Sequence, residues 1–245
     1  ASKTYTLLSH ETIVEDAKKN AHQGVLRYSI VTAGRTLPDD EIDQMCETIK
    51  KIKKECKLSI CASFGLLNQA QYQKLKLAGV ERIHNNLETS ERFFPSVCTT
   101  HSFQDKVKAI QAAQAVGLSV CSGGIMGLGE RLEDRIDMAL SLRDLEIESV
   151  PVNMLNPISG TPMANQPKMT LEEFCKVVAI YRFILPKAFI RLAGGRGLLE
   201  DKGRLCFLSG ANATISGDML TTSGITVQSD KQMLKDLNYQ LVKLS

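Results

Sequence analysis

The sequence predicts an α/β fold, specifically a (β/α)8 barrel of the TIM type. Three observations predict it. Short apolar, β-branched runs alternate with amphipathic helical stretches; the alternation repeats too many times for a small open sheet; and polar residues recur at the ends of the runs, where such barrels carry their catalytic groups. With 245 residues, 43% of them hydrophobic and 23% charged, the chain is long enough to bury a sizeable core and reads as one domain over residues 1–245.

The elements follow in order. A loop leads into a first helix that Ser9 caps, with Glu11 and Thr12 in the first turn and Gly24 after the last. Strands are expected at 25–32 (VLRYSIVT), 58–64 (LSICASF), 82–88 (RIHNNLE), 118–124 (LSVCSGG), 149–155 (SVPVNML), 189–195 (FIRLAGG) and 212–217 (NATISG). Between them, helical periodicity covers 38–54, 69–78, 103–116, 132–145 and 170–183. Seven strands are visible where a barrel has eight. The sequence therefore reads as a barrel whose first strand, with the loop after it, is absent from this chain.

Composition excludes several classes. The net charge of +3 is spread along the chain, and its densest basic run, KKIKKECK at 50–57, reads as a helix end, too small for a nucleic-acid footprint. No run of about 18 apolar residues and no signal-peptide pattern occurs, which points to the cytoplasm. The seven cysteines follow no regular spacing, so free, buried or metal-bound thiols in a reducing compartment are expected, not a disulfide framework.

Strand ends then act as a filter for chemistry. Cys61, Cys121, Arg191, Asn86, Glu88 and Asn153 all lie in or at the ends of predicted strands. A lone cysteine there is most simply a small buried hydrophobe. Two of them sharing a barrel with Arg191 make a soft-metal site a competing reading, because thiolates hold iron-sulfur clusters. The segment SVCSGGIMGLGE (119–130) does not match a dinucleotide fingerprint. Its glycines suit either close backbone approach to a bulky ligand or a tight strand-to-helix turn. HNNLETS (84–90) places amides and a carboxylate in a strand pattern, for a structural hydrogen-bond network or for a polar ligand.

These segments, with TTHSFQDK, DRIDMAL, SVPVNMLNPISGTP, IRLAGGR and SGANATISGDMLTTSG, resemble the biotin synthase family of radical S-adenosylmethionine enzymes, in order and over nearly the whole chain. The resemblance implies sulfur insertion that converts dethiobiotin to biotin. It implies S-adenosylmethionine, a 4Fe-4S cluster and a sulfur-donating auxiliary iron-sulfur cluster as cofactors, an electron donor such as a flavodoxin or ferredoxin, and a homodimer. Cys61 and Cys121 match auxiliary-cluster cysteines, and Arg191 matches an arginine ligand of that cluster. Asn86, Glu88, Lys106, Ile125, Asn153, Met154 and Leu155 match cofactor-contacting positions, with Asn86, Asn153, Thr221 and Thr222 matching substrate-contacting ones. Lys106 stands where other members carry arginine.

Two departures stand out. Ser29 replaces the family's third auxiliary-cluster cysteine, and a hydroxyl is a poor ligand for a soft site. Cys98, in FPSVCTTH, is the candidate replacement, as in a subgroup with an altered auxiliary cluster, set against an ordinary loop cysteine as the plain reading and Cys206 as a competing ligand. The C-x-x-x-C-x-x-C motif for the 4Fe-4S cluster is also missing; it belongs in the loop after the absent strand, so the chain reads as an incomplete piece that is inactive alone. Two rival readings remain: a related radical enzyme of the hydrogenase-maturation or methylornithine-synthase type, and a non-catalytic barrel that has lost its cluster loop.

Overall fold

A computed structural model describes residues 6–217 and 224–242. It divides into two compact units, Ala1–His84 with Ala109–Ser119, and Asn85–Lys108 with Val120–Ser245. The helix Phe103–Ala115 and the strand Ser119–Cys121 each have residues in both.

In the first unit, α1 (His10–His22) starts where expected, because the Ser9 hydroxyl accepts the Thr12 N–H at 3.3 Å, and Gly24 beyond its end has φ +76°. The next strand, β1, spans Arg27–Val31. Helix α2 (Asp39–Glu55) carries Asp39, Asp40 and Glu41 in its first turn and Lys53 and Lys54 in its last, charges that complement the helix dipole. Its apolar stripe of Ile42, Met45, Ile49 and Ile52 is buried. Strand β2 (Ser59–Ser63) is buried over its first four residues, as a strand covered on both faces should be. A capping box of Asn68 and Gln71 opens α3 (Gln69–Ala78), left-handed Gly79 closes it, and β3 (Arg82–His84) follows. The three strands are parallel, and their register sets Ser29, Cys61 and Arg82 side by side on neighbouring strands.

Chain order continues with α4 (Phe94–Val97), α5 (Phe103–Ala115), β4 (Ser119–Cys121), β5 (Gly124–Met126), α6 (Leu132–Asp144) and β6 (Ser149–Met154). Next come α7 (Leu171–Ile184), β7 (Phe189–Leu192), a 3-10 turn at Arg196–Leu198, α8 (Arg204–Leu208), β8 (Ala213–Thr214) and α9 (Val227–Asp236). In the second unit β4 and β5 both pair with β6, β6 with β7 and β7 with β8, all parallel.

Four expected strands end early, 212–217 among them, which stops at Thr214. The run 82–88 is a strand only to His84; beyond it Glu88, at φ +70°, makes an isolated parallel bridge with Gly124. The run 118–124 breaks at Ser122 and Gly123 into β4 and β5. The run 189–195 stops at Leu192, with Gly195 at φ +80° entering the 3-10 turn. Each break frees backbone and polar side chains at a strand end. Among the described residues no helix is long and apolar enough to cross a membrane.

Candidate functional site at the strand ends

In the second unit, Cys121 sits at the end of β4 and is 5% exposed. Ser149 opens the neighbouring strand β6 in register with it, and the Ser149 hydroxyl donates to Cys121 Sγ at 3.3 Å. Arg191 on β7 reaches the same hydroxyl, with Nε and Nη2 each donating to Ser149 Oγ at 3.4 Å, while Nη1 donates to the Thr214 carbonyl at 3.4 Å. A thiol and a guanidinium are thus joined through one buried hydroxyl. Sequence reasoning found Cys121 and Arg191 and missed Ser149. The available signal was a hydroxyl opening the apolar run SVPV, where a buried polar group requires partners.

Residues 85–88 lie against the glycine segment. Asn85 N–H donates to Cys121 O, Glu88 N–H to Gly123 O, and Ile125 N–H to Glu88 O, at 2.9–3.0 Å. The Asn86 side chain accepts the Gly123 N–H at 3.1 Å and donates to Glu88 at 3.4 Å. Asn153 spans three segments: Nδ2 donates to Gly124 O at 3.0 Å, and Oδ1 accepts the Gly194 N–H at 2.9 Å. Ile125 pairs in register with Asn153, and Met126 with Met154; Leu155 N–H donates to Met126 O. Lys106 Nζ donates to Asn85 Oδ1 at 3.3 Å. Next to Cys121, the fully buried Ser122 hydroxyl has no hydrogen-bond partner among the described residues.

The glycines have a structural cause. A Cβ on Gly123 would lie 1.9 Å from Pro151 O, and one on Gly124 would lie 2.3 Å from Glu88 O, so the neighbouring backbones exclude any side chain there. Gly127 and Gly129, at φ +96° and +99°, take the left-handed turn that leads into α6. Glu130 fixes that turn, accepting the Gly127 N–H at 2.8 Å and pairing with Arg135 at 2.6 Å.

Cys98 follows α4 and faces Thr100 and His101, each 3.4 Å from its Sγ. Burial pushes this thiol's pKa up, but hydrogen bonds from the Thr100 hydroxyl and from the backbone of Thr100 and His101, with the charge on Lys106, outweigh it and hold the thiol below its ordinary value. Cys61, in the first unit, is 4% exposed on β2 between Ser29 and Arg82. Thr221 and Thr222 lie outside the described residues. Among the described residues no group of three or more His, Cys, Asp or Glu side chains is arranged to hold a metal ion.

Comparison with known proteins gives the lineage. Residues 1–142 match the Radical SAM superfamily, and residues 151–240 match the Biotin and Thiamin Synthesis associated domain. A biotin synthase of Brachyspira hyodysenteriae is 57% identical over 237 residues, covering 97% of this chain and 71% of its own length. One from Clostridium botulinum (Alaska E43) is 52% identical, with coverages of 97% and 74%, and one from Akkermansia muciniphila 51%, with 98% and 75%. Among solved structures, methylornithine synthase superposes with a TM-score of 0.84 at 20% identity, over 98% of this chain and 76% of that one. The hydrogenase maturase HydG of Carboxydothermus hydrogenoformans gives 0.79 at 19%, over 96% and 60%. At these identities the two structures establish the fold alone, the parallel α/β architecture of TIM-type radical enzymes.

Proposed function

Because the chain belongs to the biotin synthase family of radical S-adenosylmethionine enzymes, we propose that its strand-end residues are arranged for sulfur insertion into dethiobiotin. The enzyme is a sulfurtransferase that makes biotin. Its cofactors include S-adenosylmethionine and a 4Fe-4S cluster. When bound, these groups supply the radical that removes hydrogen from unactivated carbon, and an auxiliary cluster supplies the sulfur. The residues in hand do not fit the 4Fe-4S cluster, since none of the seven cysteines lies within four residues of another.

Auxiliary-cluster chemistry fits better. Cys121 and Arg191, joined by Ser149, place a soft ligand and a cation together at strand ends, and that observation carries the reading. In this proposal Cys61 is the second thiolate and Cys98, whose thiol is held below its ordinary pKa, is the third. Asn86, Glu88 and Asn153 hold polar groups of S-adenosylmethionine or dethiobiotin, with Asn86 fixed by the Gly123 N–H and the Glu88 carboxylate and Asn153 by the Gly124 carbonyl and the Gly194 N–H. Lys106, which donates to Asn85 Oδ1, meets a carboxylate of the bound ligand, and Ile125, Met154 and Leu155 supply apolar walls. Thr221 and Thr222 are further substrate contacts. The 245 residues form part of a single radical-enzyme barrel domain, without its cluster loop, of a homodimeric cytoplasmic enzyme reduced by a flavodoxin or ferredoxin.

The test is biotin formation by the full-length protein, reconstituted anaerobically with iron, sulfide, S-adenosylmethionine and a reductant. Biotin should form. Cys61→Ala and Cys121→Ala should each abolish it and lower bound iron and sulfide. Wild-type iron content in both variants removes the two thiols from the cluster, and failure of the intact protein to convert dethiobiotin removes the functional reading itself.

A further inference from the structure

One pair of thiols meets away from the strand ends. Cys175 lies in the first turns of α7 and Cys206 in the middle of α8, with their Sγ atoms 3.7 Å apart. Cys206 has no exposed surface, whereas Cys175 is half-buried and reachable from solvent. Burial pushes the Cys206 thiol far above its usual pKa. Nearby Cys175 and the Asp201 carboxylate push the same way, and Arg196 opposes them. The two thiols therefore divide the labour of an exchange reaction, one accessible for first attack and one held in reserve beside it.

Local structure permits closure. A disulfide needs the sulfurs about 2.0 Å apart, so one side must move. Helix α8 has only five residues, with left-handed Gly203 before it and Gly210, at φ +123°, shortly after it. A short helix with a glycine near each end can shift towards α7 without unwinding a long hydrogen-bond ladder.

We propose that Cys175 and Cys206 form a reversible dithiol–disulfide pair, oxidised by a small-molecule disulfide such as glutathione disulfide. The Cys175 thiolate attacks one sulfur of the oxidant, forming a mixed disulfide and releasing one glutathione, which takes up a proton. Cys206 then attacks Cys175 sulfur, its proton passing to the departing sulfur, and the second glutathione leaves as a thiol. Two protein thiols lose two electrons and two protons, and the small disulfide gains both as two thiols.

The experiment equilibrates the cluster-loaded full-length protein anaerobically with glutathione buffers of rising oxidised fraction. Samples are acid-quenched, alkylated, digested and read by mass spectrometry. The expected result is a crosslink between the Cys175 and Cys206 peptides that disappears on adding dithiothreitol. Cys175→Ser should leave Cys206 fully alkylatable, and Cys206→Ser should stall with glutathione on Cys175. The proposal is overturned if both thiols remain alkylatable in buffers that modify Cys46 or Cys56, or if the crosslink joins Cys206 to a different cysteine. Because Cys175 is accessible in the folded chain, the Cys175→Ser arm stands even where the Cys206 variant folds poorly.

Discussion

Asp230→Ala should destabilise the protein by about 3–5 kcal/mol. Arg196, in the turn after β7, and Asp230, on α9, form a two-pronged ion pair with both N–O distances at 2.7 Å, and their side chains are 2% and 4% exposed. Asp230 also accepts from Ser216, and Arg196 also donates to the Lys202 and Ile215 carbonyls. Truncating the acid removes two charge-assisted hydrogen bonds, worth about 1.5–3 kcal/mol each, and strands a buried cation; both routes converge on the 3–5 kcal/mol typical of a broken buried pair. With a urea m-value of about 3 kcal/mol/M, the unfolding midpoint should fall by about 1–2 M. Replacing both partners by apolar residues, as in Arg196→Met with Asp230→Leu, should recover much of the loss, because no charge is then left unpaired. A midpoint shift below about 0.3 M for Asp230→Ala, or a double variant worse than the single, would refute this reasoning.

Ser149→Ala should cost about 1–2 kcal/mol, since the buried hydroxyl serves both the Cys121 thiol and the Arg191 guanidinium through long bonds; it should also raise the alkylation rate of Cys121 in iron-free protein, and an unchanged rate would separate Ser149 from that thiol. The Asp134 carboxylate is pushed up by burial, but bonds from Ser90, the Arg131 backbone and Arg92 outweigh this and hold it below its ordinary value. A depressed folded pKa gives stability that is present above the unfolded carboxylate value near 4 and lost as pH falls through the folded one. Urea midpoints measured from pH 6 to 3 should therefore fall less steeply in Asp134→Asn than in the parent protein, and parallel slopes would contradict the assignment.

Strand and helix positions were legible because period-2 and period-3.6 patterns report burial directly. Ser9, Gly24 and the acidic start of α2 marked ends that the structure keeps. What escaped were the places where a strand stops. RIHNNLE alternates like a strand to its end, yet regular pairing stops at His84, and Asn85–Glu88 instead bonds irregularly to the backbone at Cys121–Ile125. The three short or polar helices α4, α8 and α9 also went unseen, since four to ten residues give too little periodicity to stand out.

The glycines of SVCSGGIMGLGE illustrate the same limit from the other side. Their spacing in sequence allowed a ligand or a turn, and both readings were local. At Gly123 and Gly124 the cause is long-range: carbonyls from residues 151 and 88 occupy the space a side chain would need. The polar site follows from this packing. Once Gly123 lets its segment approach that closely, its N–H meets the Asn86 side chain, and the adjoining Gly124 carbonyl meets Asn153. The amides at the strand ends are thus placed by residues without side chains, which is why a motif search on the amides alone could name them without saying what positions them.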